Sequence, residues 1–432
     1  MTYTTVPTSV QAFMDNIKER TQQDNPAWGD IFSNCFANTL LTTVKRLDDD
    51  TTFILTGDIP AMWLRDSTAQ VRPYLPIAKE DKDLASMISG LVKRQFFYIN
   101  MDPYANAFNE TDNNASPHKD DHTTMTPWIW ERKYEIDSLA YPIQLSYLLY
   151  NATGQTDQFN EDFKTGVTKI LDLWETEQNH DNSPYTFERD TTRLEDTLPN
   201  DGKGSPVKET GMTWTGFRPS DDACKYGYLV PSNMFAVVAL EYVEKIYSSI
   251  FDEADVVARA KKLKEEIKKG IAEYGVVQNK AGNDIFAYEV DGFGNHSIQD
   301  DSNVPSLMAA PYLGFCTQDD PTYLETRKTL LSEENPYYYE GEFAKGIGSS
   351  HTPPNYIWPI AVSIEGLTTP DKLEKKRILD MLAATTGGTG LMHEGVDVNN
   401  PNNFTREWFS WANMMFCELV MDYYDIRVET GL

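Results

Sequence analysis

The segment from residue 210 to residue 222 combines residue types that acid catalysis requires. It holds two adjacent carboxylates, Asp221 and Asp222, together with Arg218 and two aromatic rings. Its glycines and its proline argue against a continuous helix or strand, so we predict a loop. Adjacent carboxylates repel, and one of the two is expected to hold its proton more tightly. A carboxyl with a raised pKa beside aromatic surface is what a general acid at a sugar-cleaving site needs. The alternative is a solvated loop that caps the following helix.

Four other segments repeat this composition of carboxylates beside Trp, Tyr, Arg or His. They cover residues 56–67, 130–138, 346–358 and 390–396. Seven of the nine tryptophans lie in or beside the five segments, namely Trp63, Trp128, Trp130, Trp214, Trp358, Trp408 and Trp411. Sugars offer hydroxyls that pair with charged side chains and apolar faces that lie on aromatic rings, so the pattern favours a carbohydrate site. The alternative is that the tryptophans are core residues.

Each charged residue of the segment 56–67 also has a structural interpretation. Asp58 could cap a helix that begins with Pro60 in its first turn. Arg65 and Asp66 could form an ion pair whose role is purely structural. The composition alone leaves both interpretations open.

The later segments offer carboxylates and two histidines. Glu135 and Asp137 are two residues apart, so both reach one pocket only if they lie at a helix end. His351 and His393 are flanked by small turn residues, and we interpret His393 as structural. Glu394 precedes a glycine in a glycine-rich loop that exposes its side chain, which makes it a candidate general base.

Composition and charge exclude several other functions. The chain of 432 residues has a formal net charge of -28, which repels phosphate backbones and anionic membranes, so we expect neither nucleic acid nor membrane partners. There is no P-loop and no Gly-x-Ser-x-Gly elbow. The run 112–120 has a proline where a calcium loop needs its turn glycine. The four cysteines form no CxxC pair, so no zinc site is indicated and no cofactor is expected.

The termini and the hydropathy pattern bear on localisation. The first residues lack a basic start and an apolar core, so no signal peptide is visible. No stretch approaches the roughly 18 apolar residues of a membrane-spanning helix. We therefore expect a soluble, cytoplasmic protein with reduced thiols, and its N-glycosylation sequons are interpreted as chance matches.

Hydrophobic periodicity predicts a mostly helical chain. Helices are predicted over residues 9–21, 30–45, 60–74, 81–100, 135–150, 159–177, 231–250 and 252–273, with shorter ones beginning near residues 305, 322, 355, 371 and 408. A strand is predicted over residues 51–55, and long irregular stretches over residues 102–127, 179–226 and 289–304.

The predicted helices alternate in character. A mostly apolar helix is repeatedly followed by a charged amphipathic one, with long loops before the apolar members. Apolar character all round indicates burial and one-sided character indicates an outer layer. About a dozen helices in such pairs predict an all-α (α/α)6 barrel, with residues 1–432 as one catalytic domain. Periodicity alone does not exclude a helical solenoid.

Over nearly its whole length the sequence resembles glycoside hydrolase family 125, whose members are exo-acting α-1,6-mannosidases with an (α/α)6 barrel. The most specific matches are the strings 56–67 and 211–222 and the tripeptide 393–395. The resemblance implies that Asp221 is the general acid and Glu394 the general base, with inversion and no metal requirement. The sequence itself leaves open whether Asp222 is the general acid instead. The subsite for the terminal mannose would be lined by Asp58, Trp63, Arg65, Asp66, Glu135, Asp137 and His351, and Arg218 is expected to contact substrate too.

Two alternatives to this function are kept. One is a catalytically inactive carbohydrate-binding protein on the same barrel, against which the intact Asp221 and Glu394 argue. The other is an inverting glucosidase of another (α/α)6 family. Whether the substrate is an N-glycan or a mannan, and the oligomeric state, are not determined by the sequence.

Overall fold

The computed structural model describes residues 2–432. The α-helices of this part of the chain are α1 (Thr8–Thr21), α2 (Pro26–Thr42), α3 (Leu64–Val71), α4 (Leu75–Ala78), α5 (Lys82–Met101), α6 (Asp137–Thr153), α7 (Glu161–Glu177), α8 (Val230–Ile246), α9 (Ala254–Tyr274), α10 (Ala310–Leu313), α11 (Pro321–Leu330), α12 (Pro359–Leu367), α13 (Lys372–Ala384) and α14 (Ser410–Tyr423). The fold is therefore mostly helical, as predicted.

The strands are short and lie in the connections between helices. They are β1 (Val44–Arg46), β2 (Thr52–Ile54), β3 (Met62–Trp63), β4 (Ala107–Phe108), β5 (Ile129–Glu131), β6 (Tyr228–Leu229), β7 (Val276–Gln278), β8 (Asp284–Phe286), β9 (Glu289–Val290), β10 (His296–Ser297), β11 (Tyr338–Glu340), β12 (Lys345–Ile347), β13 (Tyr356–Ile357), β14 (Gly395–Asp397) and β15 (Asn400–Thr405). They pair into antiparallel sheets of two or three strands, such as β3-β4-β5 and β13-β14-β15. These small sheets fix the loops rather than form a core.

The helices form two concentric rings. Along the chain, an outer helix is followed by an inner one in the pairs α2/α3, α5/α6, α7/α8, α9/α10, α11/α12 and α13/α14. Inner helices contact one another in the series α12, α14, α3, α6, α8 and α10, and outer helices pack on their backs, as α9 does on α8. This is the predicted (α/α)6 barrel.

Burial separates the two rings as the hydrophobic pattern predicts. Every residue of α3, α12 and α14 is buried. In the outer helix α9, burial is confined to one stripe, from Ala260 through Leu263 and Ile267 to Ile271. An outer helix needs one apolar face and an inner helix needs apolar surface all round, so the pattern along the chain determines the ring to which each helix belongs.

Long loops lead into the inner helices, and they carry the chemistry. The five segments with clustered carboxylates and aromatics lie directly before or at the start of α3, α6, α8, α12 and α14. Because inner helices share one direction, the ends of these loops meet at one face of the barrel. The alternation therefore brings distant parts of the chain to a common mouth.

Several predicted boundaries are wrong at the helix starts. The helix predicted from residue 60 begins at Leu64, because Thr56 and Ala61 close a tight loop through a backbone hydrogen bond of 3.1 Å. The helix predicted from residue 305 is reduced to α10, and the one predicted from residue 355 begins at Pro359. In each case the mouth loop extends further than hydrophobic periodicity predicts.

Within residues 2–432, no helix is long and apolar enough to cross a membrane. All four cysteines lie in this range, and none forms a disulfide.

Candidate active site

A small pocket of about 40 Å³ opens at the mouth formed by the inner-helix N-termini. Its lining comes from five of the six mouth loops and consists of Thr56, Ile59, Trp63, Arg65, Asp66, Ser220, Asp221, Asn303, His351, Trp358, Glu394, Arg406 and Phe409. This volume is below the usual range for ligand pockets. The pocket is therefore a narrow one that admits the end of a ligand and not its middle.

Arg65 lies at the centre of the acidic cluster beneath this pocket. Its guanidinium contacts four carboxylates: Nη1 bonds to Glu135 and lies 3.4 Å from Asp137, Nη2 lies 3.3 Å from Asp221, and Nε lies 3.3 Å from Asp66. Burial opposes the charge of Arg65, but these carboxylates raise its pKa well above the ordinary value. One cation thus holds four potential anions together.

The four carboxyls differ in how they hold protons. Burial, reinforced by the charges of Asp221 and Asp137 against the opposing pull of Arg65, raises the pKa of Glu135 well above its ordinary value. Burial also raises the pKa values of Asp66 and Asp137 to about 6, against the opposing effect of Arg65.

The expectation that Asp221 or Asp222 has a raised pKa is wrong, since both pKa values are lowered. Burial favours the proton on Asp221, but Arg65, a hydrogen bond from Glu135 and the charge of Lys133 lower its pKa to about 2. The proton of this pair therefore rests on Glu135. Repulsion between neighbours in the sequence is the weaker effect, because the two aspartates point to different cationic partners.

The backbone holds Asp221 in an unusual conformation. Its φ is +64°, in the left-handed region that aspartate tolerates better than most residues. A tight turn fixes it, with the Asp221 N–H donating to the Arg218 carbonyl at 2.9 Å and Lys133 Nζ donating to the Asp221 carbonyl at 2.7 Å. Asn106 Nδ2 donates to Asp221 Oδ1 at 3.2 Å. Strained turns of this kind are found where a side chain has to be aimed.

Asp222 has a different role from its neighbour. Its side chain is wholly buried and accepts hydrogen bonds from Arg193 at 2.9 Å and Ser350 at 2.8 Å, and it pairs with His351 Nδ1 at 2.9 Å. Burial raises its pKa, but His351 and Arg193 outweigh that and lower it. Burial lowers the pKa of His351, but Asp222 raises it to a net value above the ordinary one. Asp222 therefore orients His351 towards the pocket, whereas the Asp222 side chain itself does not line the pocket.

Glu394 enters the pocket from the loop before α14. Its side chain is largely buried and lies 3.5 Å from Arg406 Nη1. The same arginine bonds to Asp58 through Nη2 at 2.6 Å and packs over Phe409 at 4.4 Å. Asp58, which is 41% exposed, therefore lies at the rim and acts on the pocket through Arg406.

Arg406 is the main residue that sequence reasoning missed. Its segment, residues 405–408, has an arginine and a glutamate directly before Trp408. The other five segments share this composition of carboxylates beside Trp, Tyr, Arg or His. The signal was therefore present. Asn303 was also missed, and it lies in a loop without that composition.

Glu135 and Asp137 lie at the N-terminal end of α6, which is the position that their spacing requires if both are to reach one pocket. Their side chains are wholly buried beneath Arg65 and do not line the pocket, so they support the guanidinium. Arg218 is turned away from the pocket, since its Nε donates to Glu289 at 2.6 Å and its side chain lines a different cavity. The expectation of a direct substrate contact from these three residues finds no support in their positions.

The prediction for the tryptophans and the prediction for His393 have different outcomes. Of the seven tryptophans, Trp63 and Trp358 border the pocket although both are buried, and Trp214 and Trp411 are fully buried core residues away from it. His393 is buried and stacks on Phe404 at 3.8 Å, which confirms the structural interpretation.

Unpartnered polar atoms mark the pocket as a binding site. Trp63 Nε1 is buried and has no hydrogen-bond partner in residues 2–432, and the buried Arg65 Nε and Asp66 Oδ2 have no hydrogen bond beyond the ion pair of 3.3 Å between them. Buried polar groups are normally paired, so each needs an explanation. Sugar hydroxyls, which donate and accept, would satisfy all three. In the same range, no group of three or more His, Cys, Asp or Glu side chains is placed to hold a metal ion.

A double ring of helices with a pocket of paired carboxylates, indole rings and free polar atoms defines a glycosidase-type site. The family model for metal-independent alpha-mannosidases (GH125) matches residues 25–421. The chain therefore belongs to glycoside hydrolase family 125, the metal-independent α-mannosidases.

Two individual proteins are similar to this chain over nearly its whole length. A Streptococcus pneumoniae metal-independent alpha mannosidase, solved as a non-productive substrate complex with alpha-1,6-mannobiose, is 58% identical, with a TM-score of 0.96, covering 98% of this chain and 99% of that one. The meiotically up-regulated gene 157 protein of Schizosaccharomyces pombe is 38% identical, over 96% of this chain and 85% of its own length.

More distant structures share the fold alone. A bacterial glucoamylase complexed with acarbose has a TM-score of 0.61 at 12% identity, over 96% of this chain and 58% of that chain. The glucoamylase of Saccharomycopsis fibuligera has a TM-score of 0.58 at 11% identity, over 99% of this chain and 98% of that chain.

Proposed function

We propose that this α-mannosidase removes single α-1,6-linked mannose residues from non-reducing ends, with inversion at the anomeric carbon. The observation that carries the proposal is the small pocket, which Asp221 and Glu394 both line from separate mouth loops. A small pocket admits the end of a sugar chain and not its middle, which favours exo action. The complex of the 58% identical mannosidase with alpha-1,6-mannobiose supports the linkage.

In the proposed mechanism, Asp221 is the general acid. It protonates the oxygen of the leaving group, and its own proton comes from the pair that it forms with Glu135. Arg65 holds that pair in place, and substrate binding shifts the proton from Glu135 to Asp221 because the displaced water no longer solvates the charged form of Asp221, whose side chain is 24% exposed. General acid catalysis of this kind contributes about 10²–10⁴ in rate.

Glu394 is the general base that deprotonates the attacking water. Inverting sites hold their two carboxyls about 6.5–9.5 Å apart, which leaves room for this water. Arg406 orients Glu394, and Asp58 in turn orients Arg406. No covalent intermediate forms, because Glu394 acts on water and not on the sugar.

The test is incubation with α-1,2-, α-1,3- and α-1,6-mannobiose, followed by proton NMR before mutarotation. We expect cleavage of the α-1,6 isomer alone, with β-mannose as the first product. Equal rates on all three isomers would contradict the linkage. Early α-mannose would indicate a retaining mechanism with Glu394 as nucleophile. The matched control is Glu394→Gln, which should abolish turnover and still bind mannobiose.

A further inference from the structure

A second, larger cavity of about 580 Å³ lies beside the pocket, on the far side of the loop that carries Asp221. Its walls are mostly carbon-rich and include Leu194, Leu198, Pro199, Ala223 and Tyr337. Leu194 is 80% exposed at the rim. A concave surface that combines apolar walls with a few polar groups is typical of a binding site.

Only a thin partition separates this cavity from the pocket. Ser350 lines the cavity and donates to Asp222, whereas the next residue, His351, lines the pocket. Arg193 completes the partition by bonding to Asp222 and to the Ser350 carbonyl. The side chains of Arg193 and His351 are each about one-third exposed, at 32% and 31%, so solvent reaches the top of the partition.

The cavity lies on the side of the proposed acid. Residues from Ala223 to Lys225, directly after the acid's turn, form part of its wall, and no residue of the loop that carries Glu394 lines it. A general acid protonates the leaving-group oxygen, so the leaving part of the substrate extends from the acid's side. Sugar units beyond the cleaved bond would therefore pass over Arg193 and His351 towards this cavity.

One polar side chain in the cavity lacks a partner. Gln299 lines it, and its Nε2 is buried without a hydrogen-bond partner in the described chain. Glu195 and Lys225 add charged groups to the same wall. The two charged groups and the exposed part of the Gln299 side chain suit the hydroxyls of a sugar, whose apolar face would lie against Tyr337 and Leu194.

We propose that this cavity binds the reducing-side sugar units of an oligosaccharide, beyond the unit directly joined to the cleaved mannose. This inference rests on the proposed function. It makes the preferred substrate a chain of at least three sugars rather than a disaccharide, although the enzyme releases one mannose at a time.

The experiment compares kcat/KM for α-1,6-mannobiose with that for linear α-1,6-mannotetraose. We expect the tetraose to be favoured at least about tenfold in the unchanged protein, which corresponds to about 1.4 kcal/mol. Leu194→Ser combined with Gln299→Ala should remove most of this preference and leave mannobiose cleavage within about twofold. Leu373→Ser is the matched control, since Leu373 is 79% exposed on the outer helix α13.

The inference would be overturned if the unchanged protein has nearly equal kcat/KM values for mannotetraose and mannobiose. It would also be overturned if Leu194→Ser with Gln299→Ala leaves the preference for mannotetraose unchanged. A ratio lost equally in Leu373→Ser would also overturn it. If neither substrate is cleaved, the proposed function itself fails, and binding then tests the cavity. Calorimetric titration of Glu394→Gln should give a Kd for mannotetraose about tenfold below that for mannobiose, and equal values would count against the cavity.

Discussion

Arg65 determines the protonation of the site at the scale of single residues. Four carboxyls surround its buried guanidinium, and one charge cannot balance four, so some of them keep their protons near neutral pH. Burial raises the pKa of Glu135 well above its ordinary value, whereas Arg65 and Glu135 lower the pKa of Asp221. A proton held next to the acid, on a buried carboxyl, is available to it without passing through solvent.

The adjacent aspartates should separate in their response to amide substitution. Asp221→Asn is expected to reduce kcat/KM on α-1,6-mannobiose by about 10²-fold or more, because the leaving oxygen needs its proton. Aryl mannosides with good leaving groups should lose much less. Asp222→Asn, which removes the acceptor for Arg193 and His351, should affect both substrates alike. Steady-state kinetics on the two substrate types measure the difference, and the reverse pattern would assign the acid to Asp222.

The alkaline side of the pH profile should depend on Asp137. Its negative charge raises the pKa of Glu135, and the Asp137 side chain does not line the pocket. Asp137→Asn removes that charge and favours the ionised form of the Glu135–Asp221 pair, so the pair loses its proton at lower pH. We expect the alkaline limb of kcat/KM to move down by about one unit. Asp172→Asn on the outer helix α7 is the control, and an unmoved limb in Asp137→Asn would contradict the shared proton.

At the scale of elements, the mouth loops hold one another in place. Gly57 bridges to Phe409, and the Asp58 N–H donates to the Trp408 carbonyl at 3.4 Å, which ties the loop before α3 to the loop before α14. This tie brings Asp58 to Arg406 and, through Arg406, fixes Glu394. The geometry of the proposed base therefore depends on a loop more than 300 residues away in the chain.

Gly57→Ala tests this tie. The φ of Gly57 is +142°, and a Cβ there would lie 2.6 Å from the Trp408 carbonyl oxygen, so the loops must move apart. We expect the free energy of unfolding to fall by about 1–3 kcal/mol. The fractional decrease in kcat/KM is expected to exceed the fractional decrease in the free energy of unfolding. Thermal melts and kinetics measure the two effects. Gly294→Ala has a similar left-handed φ of +105° with open space around it, and it should leave activity unchanged.

At the scale of the whole molecule, the barrel points the N-termini of its inner helices at one pocket. Asp66 and Asp137 lie in the first turns of α3 and α6, where the helix dipole stabilises negative charge. The opposite end of the barrel carries a separate set of ion pairs, such as Arg72 with Glu418. The fold therefore places the carboxylate cluster at the end that favours it.

Removal of metal ions should not change the activity. The chain belongs to a family of metal-independent enzymes, and Arg65 and Arg406 supply the positive charge next to the pocket carboxylates. Rates on α-1,6-mannobiose are expected to stay within error after dialysis against EDTA. Loss of activity that calcium restores would show that a cation takes part.

Much of the fold and part of the site could be predicted from the sequence. Alternation of apolar and amphipathic helices determines which helices are inner and which are outer, because burial on all sides and burial on one side require different patterns. Clustered carboxylates and aromatics determine which loops reach the mouth, as the segments carrying Trp63, Asp221 and Glu394 do. Helix starts were less predictable, because hydrogen bonds such as that between Thr56 and Ala61 override periodicity.

Only the tertiary structure decided how the residues divide their roles. The sequence presents Asp221 and Asp222 as equivalent neighbours, but Arg65 and Arg193, from distant loops, draw them in different directions. The sequence presents Arg218 as a substrate-binding residue, but in the structure its guanidinium forms an ion pair with Glu289. Protonation and orientation depend on which charges lie within a few ångströms, and the approach of distant loops determines those distances. Local sequence supplies the groups, and the barrel determines their neighbours.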